Sequence, residues 1–379
     1  MNRNFDRYLP EGDVLLRHRS WLARLHIDGW LLLLLLILVC AGLFVLYSAG
    51  SKNTDLLVKQ AVSFGFGIAL MLAIAQFEPR FLARWSLLGY GIGVALLVVV
   101  EVMGHNAMGA TRWINIPGVV RFQPAELMKV VMPITIAWYI SQYNLPPRFK
   151  HLLVSLVLIA VPFALIARQP DLGTALLISA SGIFVLFLAG LRWQWIVSAV
   201  AAVVPLAVIM WLFFLRSYQK QRVLTFLNPE SDPLGSGWNI IQSKAAIGSG
   251  GIWGKGWLHG TQSHLDFLPE SHTDFIVAVL GEEFGLVGIV LLLVVYALII
   301  FRGLRIAQQA QTLFGKLLAG SITLTFFVYV LVNIGMVSGL LPVVGVPLPF
   351  ISYGGTSIVT LLAGFGLLMA VHTHRKWIT

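Results

Sequence analysis

Charge is what this sequence has least of. Of its 379 residues only 11% are charged while 58% are hydrophobic. A soluble domain carries about 25% charged residues, so that class is excluded. Cysteine is nearly absent too: Cys40 stands alone, so no intramolecular disulfide can form and cysteine usage says nothing about redox compartment. No Cys/His set has zinc spacing, since His259, His264 and His272 fit no ligand pattern. There is no Gly-x-Ser-x-Gly nucleophile elbow. The glycines at 248, 250, 251, 254, 256 and 260 invite comparison with a phosphate loop, but Ser249 stands five before Gly254 and Gly256 follows Lys255, so it is not a Walker sequence.

What is present is apolar length. No charge interrupts Trp30 to Ser51, enough to cross a ~30 Å hydrocarbon core, and similar runs recur. The chain therefore reads as an all-α polytopic integral membrane protein. Ten transmembrane helices are expected, near 30–49, 56–77, 85–103, 124–142, 151–168, 172–190, 194–215, 274–301, 315–340 and 355–372. A tail of 1–28 precedes one membrane domain, 29–379, which includes a long loop, 216–273, between spans 7 and 8. The tail is longer than a usual signal n-region and no small-residue cleavage site follows a short apolar core, so the first run is expected to remain as a span. No internal repeat is visible, which disfavours inverted-repeat transporters.

An even span number puts both termini on one side. The short loops on that side carry Arg80, Arg84, Arg148, Lys150, Arg192, Arg302, Arg305 and Lys316, so the positive-inside rule makes it cytoplasmic. The net charge of +10 follows this topological scatter, which argues for contact with anionic lipid and against nucleic acid. Of 16 acids, only Asp6, Glu11, Asp13, Asp28 and Glu78 fall inside. Carboxylate chemistry is thereby expected on the outer face.

Three outer-face stretches draw attention. In 109–130, Trp113 suits an interface with Arg112 beside it, Pro124 suits a first helical turn, and Glu126 and Lys129 share a helix face at i, i+3. Intramembrane charges usually face a cavity or a partner. Spacing alone fits a self-neutralised packing pair as well as a functional one. In 216–273, Trp238, Trp253 and Trp257 suit a loop that folds back onto the lipid interface, and Arg216, Lys220, Arg222 and Lys244 are cations able to meet phosphate, though any exposed loop carries such residues. In LPESHTDFIVAVLGEE (268–283), Ser271 and Asp274 have S-x-x-D capping spacing, with Ala278, Gly281 and Gly285 beneath Asp274 as a small-residue packing face. Asp274 thus reads equally as a helix cap or as a base. Glu282 and Glu283 point away from that face and receive no chemical role.

Residues 333–357, NIGMVSGLLPVVGVPLPFISYGGTS, are apolar yet broken by Pro342, Pro347 and Pro349. Irregular backbone at membrane depth survives only where protein buries it or it lines a cavity. A re-entrant Pro/Gly loop walling a pocket is expected before span 10, with a purely structural loop as the alternative.

Asn333, Gly339, Pro342, Gly345 and Ser352-Tyr353-Gly354-Gly355-Thr356-Ser357 resemble the signature of the SEDS family (shape, elongation, division and sporulation). RFQPAE (121–126), QPDLGTA (169–175), 221–251 and 269–283 resemble further family blocks, and KGWLHGTQS (255–263) with the short tail is most similar to the elongation member. The resemblance implies an inner-membrane peptidoglycan glycosyltransferase that polymerises lipid II at the periplasmic face. It implies Asp274 as the essential loop aspartate, with Glu126 and Lys129 as the paired acid and lysine of the fourth span. On that footing Asp274 is the general base, Lys129, Arg121 and Lys244 hold the diphosphate, and Glu126 fixes Lys129 or the acceptor. No cofactor is implied beyond, at most, a divalent cation such as Mg2+ shared with the diphosphate. The expected partner is a class B penicillin-binding protein, a transpeptidase, among other elongation-complex proteins. A flippase for lipid-linked precursors and a scaffold are the rival classes.

Overall fold

The computed structural model describes residues 25–103, 105–107, 110–116, 120–214, 217–228, 236–261 and 271–374. Most of the 1–28 tail, with its cations, lies outside the described residues. Helix α1 (Gly29–Ala49) starts where Asp28 accepts from the amide of Leu31 at 3.2 Å. Helix α2 (Thr54–Ala75) is capped by Asn53, and α3 spans Pro79–Met103. After a short sheet come α4 (Pro124–Ser141), α5 (Phe149–Arg168), α6 (Leu172–Leu188) and α7 (Trp193–Ile209), the last running into a π-helical turn, Met210–Phe214. Then follow α8 (Ser217–Leu227), α9 (Ser236–Gly250), α10 (Ile276–Gln309), α11 (Leu313–Val337) and α12 (Gly355–Thr373).

Among the described residues, seven helices are long and apolar enough to cross a membrane: α1, α2, α3, α5, α10, α11 and α12. The other three expected spans correspond to α4, α6 and α7, of 18, 17 and 17 residues. At 1.5 Å per residue these measure about 25–27 Å, slightly under the hydrocarbon thickness. Helices α4, α6, α11 and α12 are central, with α2 packed along α12 and α11 against both α6 and α4. Helices α2, α3 and α5 turn apolar side chains such as Val62, Phe66, Leu88 and Val157 outward. Lipid tails are as apolar as these residues, so nothing drives them inward.

The helical membrane architecture is as expected, with three refinements. A short antiparallel sheet of β1 (His105–Ala107), β2 (Ala110–Ile116) and β3 (Val120–Phe122), in that order, accompanies the helices. The sequence carried the signal, β-branched and aromatic residues either side of Pro117-Gly118. The segment 216–273 is not simply a loop, because α8 and α9 occupy much of it. The eighth span is not one continuous helix: α10 breaks at Gly285, whose backbone (φ 64°, ψ −159°) is non-helical.

Candidate active site

Helix α4 opens directly after β3, with Pro124 at its start and Glu126 in its first turn. One turn on, Lys129 Nζ meets Glu126 Oε1 at 2.7 Å. The other carboxylate oxygen, Oε2, accepts from Thr360 Oγ1 of α12 at 2.6 Å. The Lys129 ammonium also lies 5.6 Å from the ring centre of Tyr329 on α11. Glu126 is only 4% exposed and the Lys129 side chain 14%. A buried ion pair is weak evidence for stability, because desolvation offsets its Coulomb gain. Here three helices converge to hold one, and beside it a small, mostly apolar pocket of about 40 Å³ is lined by Lys129, Pro133, Thr325, Phe326, Tyr329 and Thr360, among others.

The same end of α4 is tied to the α5–α6 turn. Gln123 Nε2 donates to Asp171 Oδ2 at 3.1 Å, while Asp171 Oδ1 caps α6 through the amide of Thr174. Arg112 reaches over from β2: its Nε donates to Gln169 O at 3.2 Å, its Nη2 to Pro170 O, and its Nη1 lies 3.7 Å from Asp171. Arg112 therefore fastens the sheet to the bundle. Arg121 sits on β3 opposite Asn115, and its side chain lies outside the described residues.

Asp274 belongs to a turn, Ser271–Phe275, that precedes α10. The capping box read from the sequence is not formed. The helix starts after Phe275 with no side-chain cap, and Ser271 Oγ instead donates to Ala49 O of α1 at 3.1 Å. What holds the turn is the irregular segment 338–354. Asn333 Nδ2 of α11 donates both to Asp274 O at 2.9 Å and to Val346 O at 2.7 Å. The amide of Tyr353 donates to His272 O at 2.9 Å. Gly345, at φ 80°, lies beside the carboxylate, so that a β-carbon there would stand 3.5 Å from Asp274 Oδ2.

The second half of the irregular segment, at Val346 and 348–352, is buried, while its first half is partly exposed. Side chains satisfy groups that a helix would have paired internally. Gln60 donates to Ser352 O (3.0 Å) and accepts from the Gly354 amide (3.3 Å). Tyr296 donates to Pro349 O (2.6 Å), and Ser352 Oγ accepts from the Leu348 amide (2.8 Å).

Helix α11 relates the two clusters. Tyr329, under Lys129, and Asn333, on the Asp274 carbonyl, are four residues apart and so share a face, about 6 Å apart along the axis. Lys244 stands on α9, which Ser243 Oγ fastens to Val337 O at the end of α11 (2.9 Å). Its side chain crosses the Gly339 turn, where a β-carbon would fall 2.6 Å from Nζ. The structure thus joins Glu126 to Lys129, ties the backbone of Asp274 to α11 one turn from Tyr329, and sets Lys244 against the Gly339 turn. Reasoning on the sequence gave no part to Thr360, Tyr329, Asp171 or Gln60. For Thr360 there was a faint signal, a hydroxyl inside the apolar run of α12. Among the described residues, no group of three or more His, Cys, Asp or Glu is gathered as a metal site would need.

A family model described as cell cycle protein, and named for FtsW, RodA and SpoVE, matches residues 28–377. The peptidoglycan glycosyltransferase MrdB of Escherichia coli K12 is 51% identical over 94% of this chain and 96% of its own length. A probable peptidoglycan glycosyltransferase FtsW of Geobacter metallireducens is 37% identical over 92% of this chain and 95% of its own. The crystal structure of the rod shape determining protein RodA of Thermus thermophilus superposes with a TM-score of 0.70 at 28% identity, covering 92% and 98% of the two chains. A chain from a structure described as a peptidoglycan synthase complex that coordinates polymerization and crosslinking gives 0.80 at 32% identity, covering 91% and 97%.

Proposed function

The chain belongs to the FtsW/RodA/SpoVE family, and from that premise we propose that it is a peptidoglycan glycosyltransferase of cell elongation that polymerises lipid II. It is a multi-pass membrane protein. In this reading α4, α6 and α7 complete ten spans, both termini are cytoplasmic, and the site opens to the periplasm. The short-loop cations and the outward placement of most carboxylates support that orientation.

The reaction needs little from the protein. A sugar diphosphate leaves readily once cations neutralise it, so no general acid is required, unlike the paired carboxylates of glycosidases. Asp274 takes the proton of the acceptor 4-hydroxyl as that oxygen attacks the anomeric carbon of the donor. The bond from that carbon to the phosphate oxygen breaks, and undecaprenyl diphosphate departs with the electron pair. Attack opposite an α-linked leaving group gives a β-1,4 link, so the reaction inverts. Lys129 receives the diphosphate charge, with Arg121 and Lys244 as further cations for it. Glu126, held by Thr360, keeps Lys129 aimed. Mg2+ enters this proposal only as a counter-ion that the diphosphate brings with it.

What supports the reading is the shared face of α11: Tyr329, beside the buried Glu126–Lys129 pair, and Asn333, bonded to the backbone carbonyl of Asp274, are one turn apart. The relative solved within a complex for polymerization and crosslinking supports a class B penicillin-binding protein as the working partner. Purified protein in detergent is expected to convert labelled lipid II into glycan strands, alone or with that partner. A flippase has no membrane to work across there, so no product under either condition would contradict the reading.

A further inference from the structure

Two buried carboxylates remain without a part in this chemistry. Glu282 is 0% exposed and Glu283 1%, both at the end of the nine-residue half-helix Ile276–Phe284 that precedes the break at Gly285. Into that break runs the glycine-rich segment following α9. The amides of Lys255 and Gly256 donate to Glu282 O and Glu283 O, each at 3.0 Å. The amides of Leu286 and Val287 donate to Gly251 O (2.9 Å) and Ile252 O (3.1 Å). The hairpin thus substitutes for the helical bonds lost at the break. Only glycine permits the approach: Gly254 (φ 79°) and Gly285 (φ 64°) are left-handed, and a β-carbon on Gly254 would stand 2.1 Å from Glu283 O.

The two side chains lock the hairpin in place. Glu282 Oε1 takes Lys255 Nζ (2.7 Å), the Thr261 amide (2.8 Å) and Thr261 Oγ1 (2.9 Å). Glu283 Oε1 takes the Leu258 amide (3.1 Å) and Ser48 Oγ of α1. A continuous helix would have set the height of Asp274 from the rest of the span. The break removes that reference, and the hairpin supplies another about 13 Å from Asp274, at the far end of a half-helix buried on every side.

We propose that Glu282 and Glu283 are positioning residues: by clamping the 251–261 hairpin into the broken helix they fix where the half-helix, and with it Asp274, stands relative to Lys129. This rests on Asp274 being the base. The test is steady-state polymerisation of labelled lipid II by the purified full chain. The double variant Glu282→Leu/Lys255→Met replaces the ion pair between the buried Glu282 and the partly exposed Lys255 (28%) with apolar groups of similar volume. Its kcat is expected to fall at least tenfold with KM for lipid II within twofold, while Lys255→Arg retains the wild-type rate. Thr261→Ala, which keeps the ion pair, is expected to show the same split at two- to fivefold, and it decides the matter if the double variant fails to fold. A wild-type kcat in the folded double variant, or in Thr261→Ala should the double variant not fold, would overturn the proposal, as would a raised KM at unchanged kcat. Asp274→Asn runs alongside. If that variant is active, the base assignment fails; if it is inactive while the folded double variant is fully active, only the positioning role fails.

Discussion

At the scale of single residues the site turns on how one cation is held. Lys129 has a carboxylate on one side and an aromatic face on the other, and the carboxylate has its own donor in Thr360. In the proposed mechanism its charge is fixed in place before any phosphate arrives, which is what preorganised electrostatic catalysis requires. Lys129→Ala should lower kcat/KM for lipid II by two orders of magnitude or more, and Lys129→Arg by clearly less, since the charge survives. Equal wild-type rates in both would reduce the pair to packing. Thr360→Val keeps shape but removes the donor to Glu126. A hydrogen bond to a charged group contributes about 1.5–3 kcal/mol, so a loss of about ten- to a hundredfold in kcat/KM is expected in the same assay. The i, i+3 spacing of Glu126 and Lys129 was legible in the sequence. Thr360 and Tyr329 were not, because their contact depends on how α4, α11 and α12 meet, and no local pattern encodes that.

Elements show a different division. The apolar spans and the proline-broken segment were readable, since hydropathy and Pro/Gly punctuation act locally. The break in α10 was not: Gly281 and Gly285 looked like a smooth packing face. Gly285 instead takes a left-handed backbone because a hairpin from 30 residues earlier fills the gap, and Gly281 O lies against Gly250. The glycines of that hairpin serve close backbone packing rather than phosphate. In the same way Asp274 looked like a cap because Ser271 stood three before it, but Ser271 bonds to α1 and Asn333 to the turn. Asn333 is accordingly the strut of the site. Asn333→Leu leaves the carbonyls of Asp274 and Val346 without this donor, at a cost of roughly 2–4 kcal/mol. Its melting temperature in detergent should fall by several degrees and polymerisation should fall with it. An unchanged melting temperature would deny the strut its role.

For the whole molecule, the bilayer explains why chemistry and anchor coexist in one bundle. The substrate keeps its prenyl chain in lipid while its sugars react in water, so the reacting groups belong near the end of the spans. Asp274 precedes α10, and Glu126 and Lys129 lie in the first two turns of α4. The proposed orientation rests on where cations fall along the sequence, because topology is written in charge. The small sheet at 105–122 escaped that reading, as charge and hydropathy say little about strands. The central claim is that Asp274 removes the acceptor proton. Its most direct test is polymerisation of labelled lipid II by purified Asp274→Asn, a change of one atom that keeps the side-chain volume. A folded variant with no detectable glycan product is the expected result, and full-rate polymerisation by that variant would contradict the account.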